Sequence, residues 1–305
     1  MNTTISGPAA HASALEERLG DPYDTANPYG FRAILAAREA GQPLDGEPFD
    51  AVGTEDHGAE PETVLHALRA VYRRSPMLTR PGQEAERGSG AVTAGAAVGA
   101  VDSGLRMTLR HLRARRLYGA AAVDIPQLRA VLAGAYADLL LCDALTTLAV
   151  RGTDAMPARP GAHDRMVRVL VPRVLQGAMD RLSMAMGSRF YIREGEHAIF
   201  HLLLNEMQRA LFAPDGRPGR PPAPVDAAVP LTGITIADLA TAPAVTALCD
   251  PELLAAAPGR ALTTRARRTP QPSGPAQERL YAELNRRYDT SRSFDLAERP
   301  LPDRP

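Results

Sequence analysis

Arginine is the residue type whose spacing first suggests chemistry in this sequence. Arg106, Arg110 and Arg113 follow one another at intervals of four and three, so a helix would place them on one face. Guanidinium groups are permanently charged and bind phosphate oxygens through paired hydrogen bonds. Two interpretations stay open for this basic stripe. It is either a face that is solvated or paired with acidic residues of the N-terminal region, or a site for the phosphates of a dinucleotide or of coenzyme A.

A second pattern could bind metal. Glu194, His197 and His201 lie three and four residues apart, and a Glu-x-x-His on a bundle helix is typical of di-iron carboxylate sites. Such a site also needs a second Glu-x-x-His and further glutamates on facing helices, where this sequence is apolar. We therefore interpret these residues as surface or capping residues, with Glu194 or Glu196 as a hydrogen-bond partner for His197, and predict no metal site.

Nucleophilic catalysis has little support. Cys142 lies on an apolar helical stripe, where burial makes a thiol inert, and no Gly-x-Ser-x-Gly elbow occurs. Three methionines, Met179, Met184 and Met186, are predicted to fill the core, because this side chain adapts to irregular gaps.

Composition excludes several classes of function. Of the 305 residues, 45% are hydrophobic, only 5% are aromatic and none is Trp, which favours helices over sandwiches and barrels. Basic and acidic residues balance at 35 each, so no overall field attracts nucleic acid or a membrane surface. With two cysteines, no signal-peptide pattern in residues 1–12 and no run of eighteen apolar residues, the protein is predicted to be reduced and cytoplasmic.

Apolar residues recur at helical spacing in segments separated by Pro- and Gly-rich joints. We predict short helices at 13–19, 31–39 and 62–75, long helices at 91–117, 125–151, 164–186 and 194–211, and short helical segments at 234–239, 244–248, 251–257 and 276–288. Residues 1–12 are predicted to be disordered, and Pro172 to kink or break its helix. Gly95 and Gly99 should let a neighbouring helix approach closely.

These elements predict an all-α protein, because four apolar-striped helices on short connections form a bundle most economically. Its parts are a small N-terminal helical region (1–78), a linker (79–90), a four-helix bundle (91–212) and an irregular Pro-rich C-terminal extension (213–305).

Several segments resemble the acyl-CoA dehydrogenase family. The matches to its C-terminal helical domain are LRMTLRHLRARRLYG (105–119), VDIPQLRAVLAGAYAD (123–138) and MGSRFYIREGEHAIF (186–200). The segments LGDPYDTANPYG (19–30) and LRAVYRRSPM (68–77) are similar to the N-terminal helical region of actinobacterial members. The resemblance covers about residues 15–78 and 90–212, in the order that the family has.

The resemblance implies a place for a flavin. Arg115 begins an Arg-x-x-Tyr-Gly turn and matches the family position that contacts the flavin pyrophosphate of a neighbouring subunit. Tyr118 belongs to the same turn, and Gly187 to a Gly-Gly-x-Gly-Tyr loop. The resemblance thus predicts FAD as the cofactor and Arg115, Tyr118 and Gly187 as its binding residues.

Other family positions differ here. Met184 stands where the family has Gln, Ser188 replaces the second glycine of the loop, and Asn205-Glu206 replaces an Arg-Asp pair. The catalytic carboxylate would fall at Asp215, one carbon shorter than the expected Glu. We therefore assign no catalytic residue.

The resemblance also implies a missing domain. Family members place a β-rich middle domain, against which the flavin ring lies, where this chain has residues 79–90. Twelve extended residues span at most about 40 Å, which joins two helical layers but cannot form a sheet domain.

Three functions stay open for such a chain. It is a working flavoprotein, a partner subunit of a full-length acyl-CoA dehydrogenase, or a bundle reused either for non-redox catalysis or for holding an acyl-CoA or acyl-carrier thioester. We favour a homo- or hetero-oligomeric partner subunit that does not bind FAD alone, and we leave enzymatic activity undecided.

Overall fold

The computed structural model describes residues 7–42, 60–78, 90–117, 119–151, 162–212 and 274–303, with the backbone alone at 77 and 162–166. Within these residues the chain is mostly helical, as predicted. The α-helices are α1 Pro8–Leu19, α2 Phe31–Ala40, α3 Pro61–Tyr72, α4 Gly90–Ala114, α5 Pro126–Val150, α6 Ala162–Met186, α7 Gly195–Phe212 and α8 Pro275–Asp289. The described strands are β1 Arg116–Leu117 and β2 Ala120–Ala121, which pair antiparallel.

The predicted helix boundaries hold to within a few residues, with three corrections. The helix predicted at 13–19 begins at Pro8, so disorder at 8–12 is wrong; proline is favourable in a first helical turn. The helix predicted to reach 117 ends at Ala114, and Gly119, at a φ of 86°, turns the chain between β1 and β2. A break at Pro172 is wrong, because α6 continues through it, with Val171 and Val174 packed in the core.

The four long helices share one hydrophobic core. Helix α4 contacts α5, α6 and α7, and α5 also contacts α6. Leu105, Leu139, Leu175 and Phe200, one from each helix, are fully buried in the same cluster. The apolar stripes predicted from the sequence therefore face one another.

The N-terminal helices add a second layer on α4. Helix α3 lies between α1 and α4, and α2 contacts α7. A Cβ atom on Gly99 would lie 2.1 Å from the backbone oxygen of Arg69, and one on Gly95 would lie 2.7 Å from the Leu65 side chain. The close approach predicted for these two glycines is confirmed, and the approaching helix is α3.

Helix α5 is long and apolar enough to span a membrane by length and composition, with a mean hydropathy of 1.5. However, 94% of the eighteen-residue window is buried inside the protein. It is therefore a core helix, and its composition is weak evidence for a membrane span.

The end of the described chain returns to the core. Helix α8 packs on α5, and residues 291–303 follow it without regular secondary structure. Phe294 and Ser293 in this segment are fully buried. The predicted linker residues 79–89 and the helical segments predicted between 234 and 257 lie outside the described residues.

Candidate functional site

Two of the three residues predicted to bind a cofactor meet in space. Arg115 follows the last turn of α4, and Gly187 follows the last turn of α6 and opens a 3-10 helix, Gly187–Tyr191. A Cβ atom on Gly187 would lie 3.6 Å from Nη1 of Arg115. Gly187 has a φ of 62°, a conformation that favours glycine. Tyr118, the third predicted residue, lies outside the described residues.

Two histidines stand beside this pair. His111 lies one turn before Arg115 on α4, and its ring meets that of His197 on α7 edge to face, with centroids 5.2 Å apart. The Nε2 atoms of both rings are buried and have no hydrogen-bond partner among the described residues. Burial, then the proximity of His197 and of Arg115, lowers the pKa of His111 to about 4, so its ring is neutral near pH 7.

Positive charge at this place is uncompensated. Arg115 is half-buried, and Arg189, on the 3-10 helix, is exposed and close enough to lower the pKa of His111. Neither guanidinium forms an ion pair or a hydrogen bond with any described residue. We call Arg115, Arg189, His111, His197 and Gly187 the arginine–histidine surface. An array of cationic donors without carboxylates can bind an anion.

The arginines of the basic stripe pair with acidic residues, but these belong to α4, α7 and α8 and not to the N-terminal region. Arg106 pairs with Asp102, one turn away on α4, and its guanidinium lies 4.1 Å from the centroid of the Phe294 ring. The other two arginines pair outside the N-terminal region: Arg110 with Glu196 of α7 and Arg113 with Asp289 of α8, both at 2.7 Å. Arg110 also contacts the N-terminal region, where its guanidinium lies 3.9 Å from the centroid of the Tyr23 ring. These pairs leave the stripe unsuited to binding phosphate.

A buried cluster of charges lies inside the protein, where the sequence interpretation placed none. Arg73, which follows α3, contacts Glu16 of α1 at 2.9 Å, Asp102 of α4 at 3.5 Å, and Asp303 near the end of the described chain. Arg74 lies 3.4 Å from Glu16 and 3.7 Å from Asp303. These residues are buried, so the pairing offsets the cost of removing each charge from water.

The C-terminal segment supplies more of this cluster. Arg299 lies 3.6 Å from Glu16 and 3.1 Å from Asp295. The backbone N–H of Phe294 donates to Asp102 at 2.5 Å. We call Glu16, Arg73, Arg74, Asp102, Asp295, Arg299 and Asp303 the buried charge network. It joins α1, α3, α4 and the C-terminal segment.

Electrostatics in the network favours the ionised state of Asp303 and Asp295, whereas burial lowers the pKa of Arg74. Burial alone would raise the pKa of Asp303, but Arg73 and Arg74 outweigh it and lower this pKa to about 2. Burial likewise opposes ionisation of Asp295, and Arg299 and Arg69 overcome it, so that its pKa is also lowered. The network is therefore a structural assembly of charges, with its carboxylates already neutralised.

No protein-family profile, curated protein or solved structure matches this chain. The likeness to the acyl-CoA dehydrogenase family is therefore a resemblance of the quoted segments alone, and the chemistry of the site follows from its own geometry.

The remaining candidate residues have structural partners. The amide nitrogen of Asn205 lies 2.8 Å from Nδ1 of His201, while Glu196, one expected partner of His197, pairs with Arg110 instead. Among the described residues, no group of three or more His, Cys, Asp or Glu side chains is placed to hold a metal ion. Cys142 is fully buried, and burial raises the pKa of its thiol, as expected of an inert core residue.

The three methionines predicted to fill the core differ in their burial. Met179 and Met186 are buried in the core as predicted, but Met184 is 71% exposed, so that prediction is wrong for it. Met184 faces outward because it lies on the solvent side of the last turn of α6. Nearby on the 3-10 helix, Tyr191 is 72% exposed. Met184 thus lies three residues before Gly187, and Tyr191 lies on the 3-10 helix that carries Gly187 and Arg189.

The family positions that differ also have defined environments. Ser188 is exposed next to Gly187. Glu206, in place of the family's Asp, is buried and pairs with Arg38 at 3.2 Å and with the Ser75 hydroxyl. This pairing ties α7 to the N-terminal helices. Asp215 lies outside the described residues.

Sequence reasoning missed His111, Arg189 and the whole buried charge network. One signal was available for the network: Arg73-Arg74 directly follows an apolar helix, and Glu16 stands between Leu15 and Leu19 on the buried face of α1. Charges at positions that the helical pattern assigns to the core indicate buried partners. The identity of those partners depends on contacts of Arg73 with residues as far apart in the chain as Glu16 and Asp303, which no local pattern contains.

Proposed function

We propose that this protein is a truncated acyl-CoA dehydrogenase-like subunit that binds the phosphate groups of a nucleotide cofactor at Arg115 and acts beside an intact flavoprotein. The observation that supports this proposal is the meeting of Arg115 and Gly187. The resemblance assigns both positions to flavin binding, and they come from distant parts of the chain. Arg115 forms no ion pair with any residue that the structure describes, which leaves its guanidinium able to bind phosphate.

The described residues fit one part of FAD. Arg115 can donate paired hydrogen bonds to a pyrophosphate. Because Gly187 has no side chain, the space beside the Arg115 guanidinium stays open. The isoalloxazine ring needs a wall, and the β-structure among the described residues is limited to the pairing of β1 with β2 and one isolated bridge. The fit therefore extends to the phosphates and not to the ring. FAD would supply hydride transfer; the contribution of this chain would be to hold phosphate.

Energetics favours a shared site over an autonomous one. A hydrogen bond to a charged group contributes about 1.5–3 kcal/mol, and association costs at least about 4 kcal/mol in lost freedom of motion. Two or three phosphate contacts therefore leave little net affinity for a free dinucleotide. The same contacts add effectively to a flavin that a second polypeptide already holds.

A second candidate function is the binding of an acyl thioester of coenzyme A without redox chemistry. The observation that favours it is the exposure of Met184 and Tyr191, which lie within five residues of Arg189 in the chain. Such a surface offers apolar contact for an adenine or acyl group and charge for the phosphates. In this alternative no flavoprotein partner is required.

Purification of the protein alone and after co-expression with an intact acyl-CoA dehydrogenase separates these functions. We expect the protein alone to be colourless at the flavin absorption bands, and the co-expressed pair to purify together. Arg115→Gln should reduce the flavin content of the pair, whereas Arg116→Gln, a matched change at the adjacent exposed arginine, should not. A colourless protein that binds acyl-CoA in calorimetry without any partner favours the alternative, and stoichiometric FAD in this chain alone contradicts the proposal.

A further inference from the structure

The arginine–histidine surface contains groups that simple phosphate binding by Arg115 does not use. His111 and His197 each have an Nε2 atom that is buried and has no hydrogen-bond partner among the described residues. A buried polar atom without a partner is unfavourable, and a ligand that supplies the partner removes this cost. His111 lies one turn before Arg115, whose charge lowers its pKa, and the ring of His197 contacts the ring of His111.

The charges that face His111 come from three elements. Arg115 approaches from its own helix α4, Arg189 from the 3-10 helix, and His197 from α7. The carboxylate nearest in chain to His197 is Glu196, and it pairs with Arg110 at 2.7 Å. In the free protein the neighbours of His111 are thus cations and a second imidazole, which disfavour its protonation.

An anion reverses this balance. A pyrophosphate between Arg115 and Arg189 would neutralise the two charges that oppose protonation and would offer oxygens that accept a hydrogen bond. A protonated imidazole donates from both ring nitrogens, so Nε2 would gain the partner it lacks. Such a charged donor is stronger than a neutral one.

We propose that the arginine–histidine surface is a proton-linked anion site, in which binding of a phosphate-bearing ligand transfers a proton from solvent to His111. The ligand class is a pyrophosphate diester, as in a dinucleotide, or the phosphates of coenzyme A. This inference rests on the proposed function, to which it adds His111, Arg189 and His197 as binding residues and pH as a control of affinity. No covalent bond forms; the proton leaves water or buffer and resides on the imidazole until the ligand departs.

The test uses isothermal titration calorimetry of the full chain with ADP-ribose, whose pyrophosphate diester does not titrate over the pH range of the measurement. Titrations in buffers of different ionisation enthalpy count the protons taken up. We expect uptake approaching about one proton per ligand near pH 6, and an affinity that rises up to about tenfold for each unit that the pH falls. Coenzyme A as a second ligand shows which phosphate source the site prefers.

Two variants separate the groups. His111→Gln keeps a polar side chain but cannot take up a proton, so both proton uptake and the pH dependence should vanish while some binding persists. His201→Gln, a matched change at a histidine whose Nδ1 already faces Asn205, should leave both unchanged. Arg189→Gln should weaken binding at every pH.

The outcomes distinguish this inference from the proposed function. Binding that depends on Arg115 but takes up no proton overturns the inference and leaves the proposed function standing. No binding of either ligand overturns the inference and also removes the support for phosphate binding at Arg115. Should His111→Gln fail to fold, the chemical shift of the His111 ring in the unmodified protein, titrated with and without ADP-ribose, gives the answer: an unchanged pKa on ligand addition contradicts the inference.

Discussion

The buried charge network and the arginine–histidine surface are both rich in arginine, but their charges are balanced in different ways. In the network, Arg73 contacts three carboxylates and is almost fully buried. At the surface, Arg115 and Arg189 have no carboxylate partner among the described residues and keep contact with water. A buried guanidinium is stable only with carboxylate partners that offset its loss of hydration. A guanidinium without such partners is stable only where water solvates it. The difference indicates that the network stabilises the fold and that the surface is available to a ligand.

The strongest test of this contrast replaces one arginine in each region by methionine. Arg73→Met leaves Glu16 and Asp303 without their main partner, and we expect a loss of about 3–5 kcal/mol in the free energy of unfolding. Arg115→Met removes a cation that forms no ion pair with any described residue, so we expect a change within about 0.5 kcal/mol. Urea unfolding followed by circular dichroism measures both. Equal effects of the two substitutions would abolish the contrast.

The two regions should lose their contributions to the free energy of unfolding over different ranges of acidic pH. Asp303 has a folded pKa of about 2, below its unfolded value of about 3.9. Its contribution, about 2 kcal/mol, is therefore complete above pH ~4 and is lost as the pH falls toward 2. His111 has a folded pKa of about 4, below its unfolded value of about 6.5, so its contribution is present above pH ~6.5 and is lost between 6.5 and 4.

Unfolding curves collected from pH 7.5 downward measure these two windows. In the His111→Gln variant, the free energy of unfolding should fall less steeply between pH ~6.5 and ~4, and its fall below pH ~4 should be unchanged. The remainder of the upper window belongs to His66 of α3, whose pKa is lowered to about 4 by burial and by Arg69, and to His197 and His201 of α7, whose pKa values burial also lowers. An unaltered upper window in the variant would show that His111 is protonated alike in the folded and unfolded chains.

Alanine substitutions at two glycines compare the tight contact of α3 with α4 to the arginine–histidine surface. Gly99→Ala places a methyl group 2.1 Å from the Arg69 backbone oxygen, which forces α3 away from α4, and we expect a loss of about 1–3 kcal/mol. Gly187→Ala meets no such contact but requires alanine at a φ of 62°, for which we expect about 1 kcal/mol. Thermal unfolding measures both.

A glycine elsewhere is the control. Gly177→Ala lies inside α6 and meets the mobile end of Arg181 at 3.4 Å, so the gain in helix propensity should stabilise the protein by about 0.5–1 kcal/mol. A stabilising Gly99→Ala would mean that α3 and α4 are not tightly packed.

The smallest effect is expected for exposed ion pairs. Arg286 on α8 pairs with Glu283 and Glu298, and nearly half of its side chain is exposed. Arg286→Ala should cost at most about 1 kcal/mol, because solvent screens both interactions. Raising the salt concentration should reduce this cost further. A loss comparable to that of Arg73→Met would show that burial does not separate the two classes of arginine.

The helices were predictable from the sequence because helical periodicity is a local property. Helix α5 was predicted at 125–151 and lies at Pro126–Val150, with Pro126 in its first turn. Gly95 and Gly99 correctly predicted a close contact between helices. The errors arose where local signals compete: Pro172 disfavours a helix, but the burial of Val171 and Val174 holds the backbone in place.

The candidate site was predictable only in part. The resemblance named Arg115 and Gly187, which the structure brings together, but it did not point to His111 or Arg189. The stripe of Arg106, Arg110 and Arg113 looked equally capable of binding phosphate. Its role depended on which carboxylates lay opposite, and those belong to α4, α7 and α8.

The sequence alone therefore determined the helical class, the positions of most helices and the balance of charge, because these follow from residue type and spacing over a few turns. Tertiary structure alone decided which arginines are neutralised and which stay available. Glu16 and Asp303 meet Arg73 across almost the whole length of the chain, whereas Arg115 meets no carboxylate in the described part of it. The electrostatic role of an arginine is set by distances of a few ångströms, and residue order does not specify those distances until the helices pack.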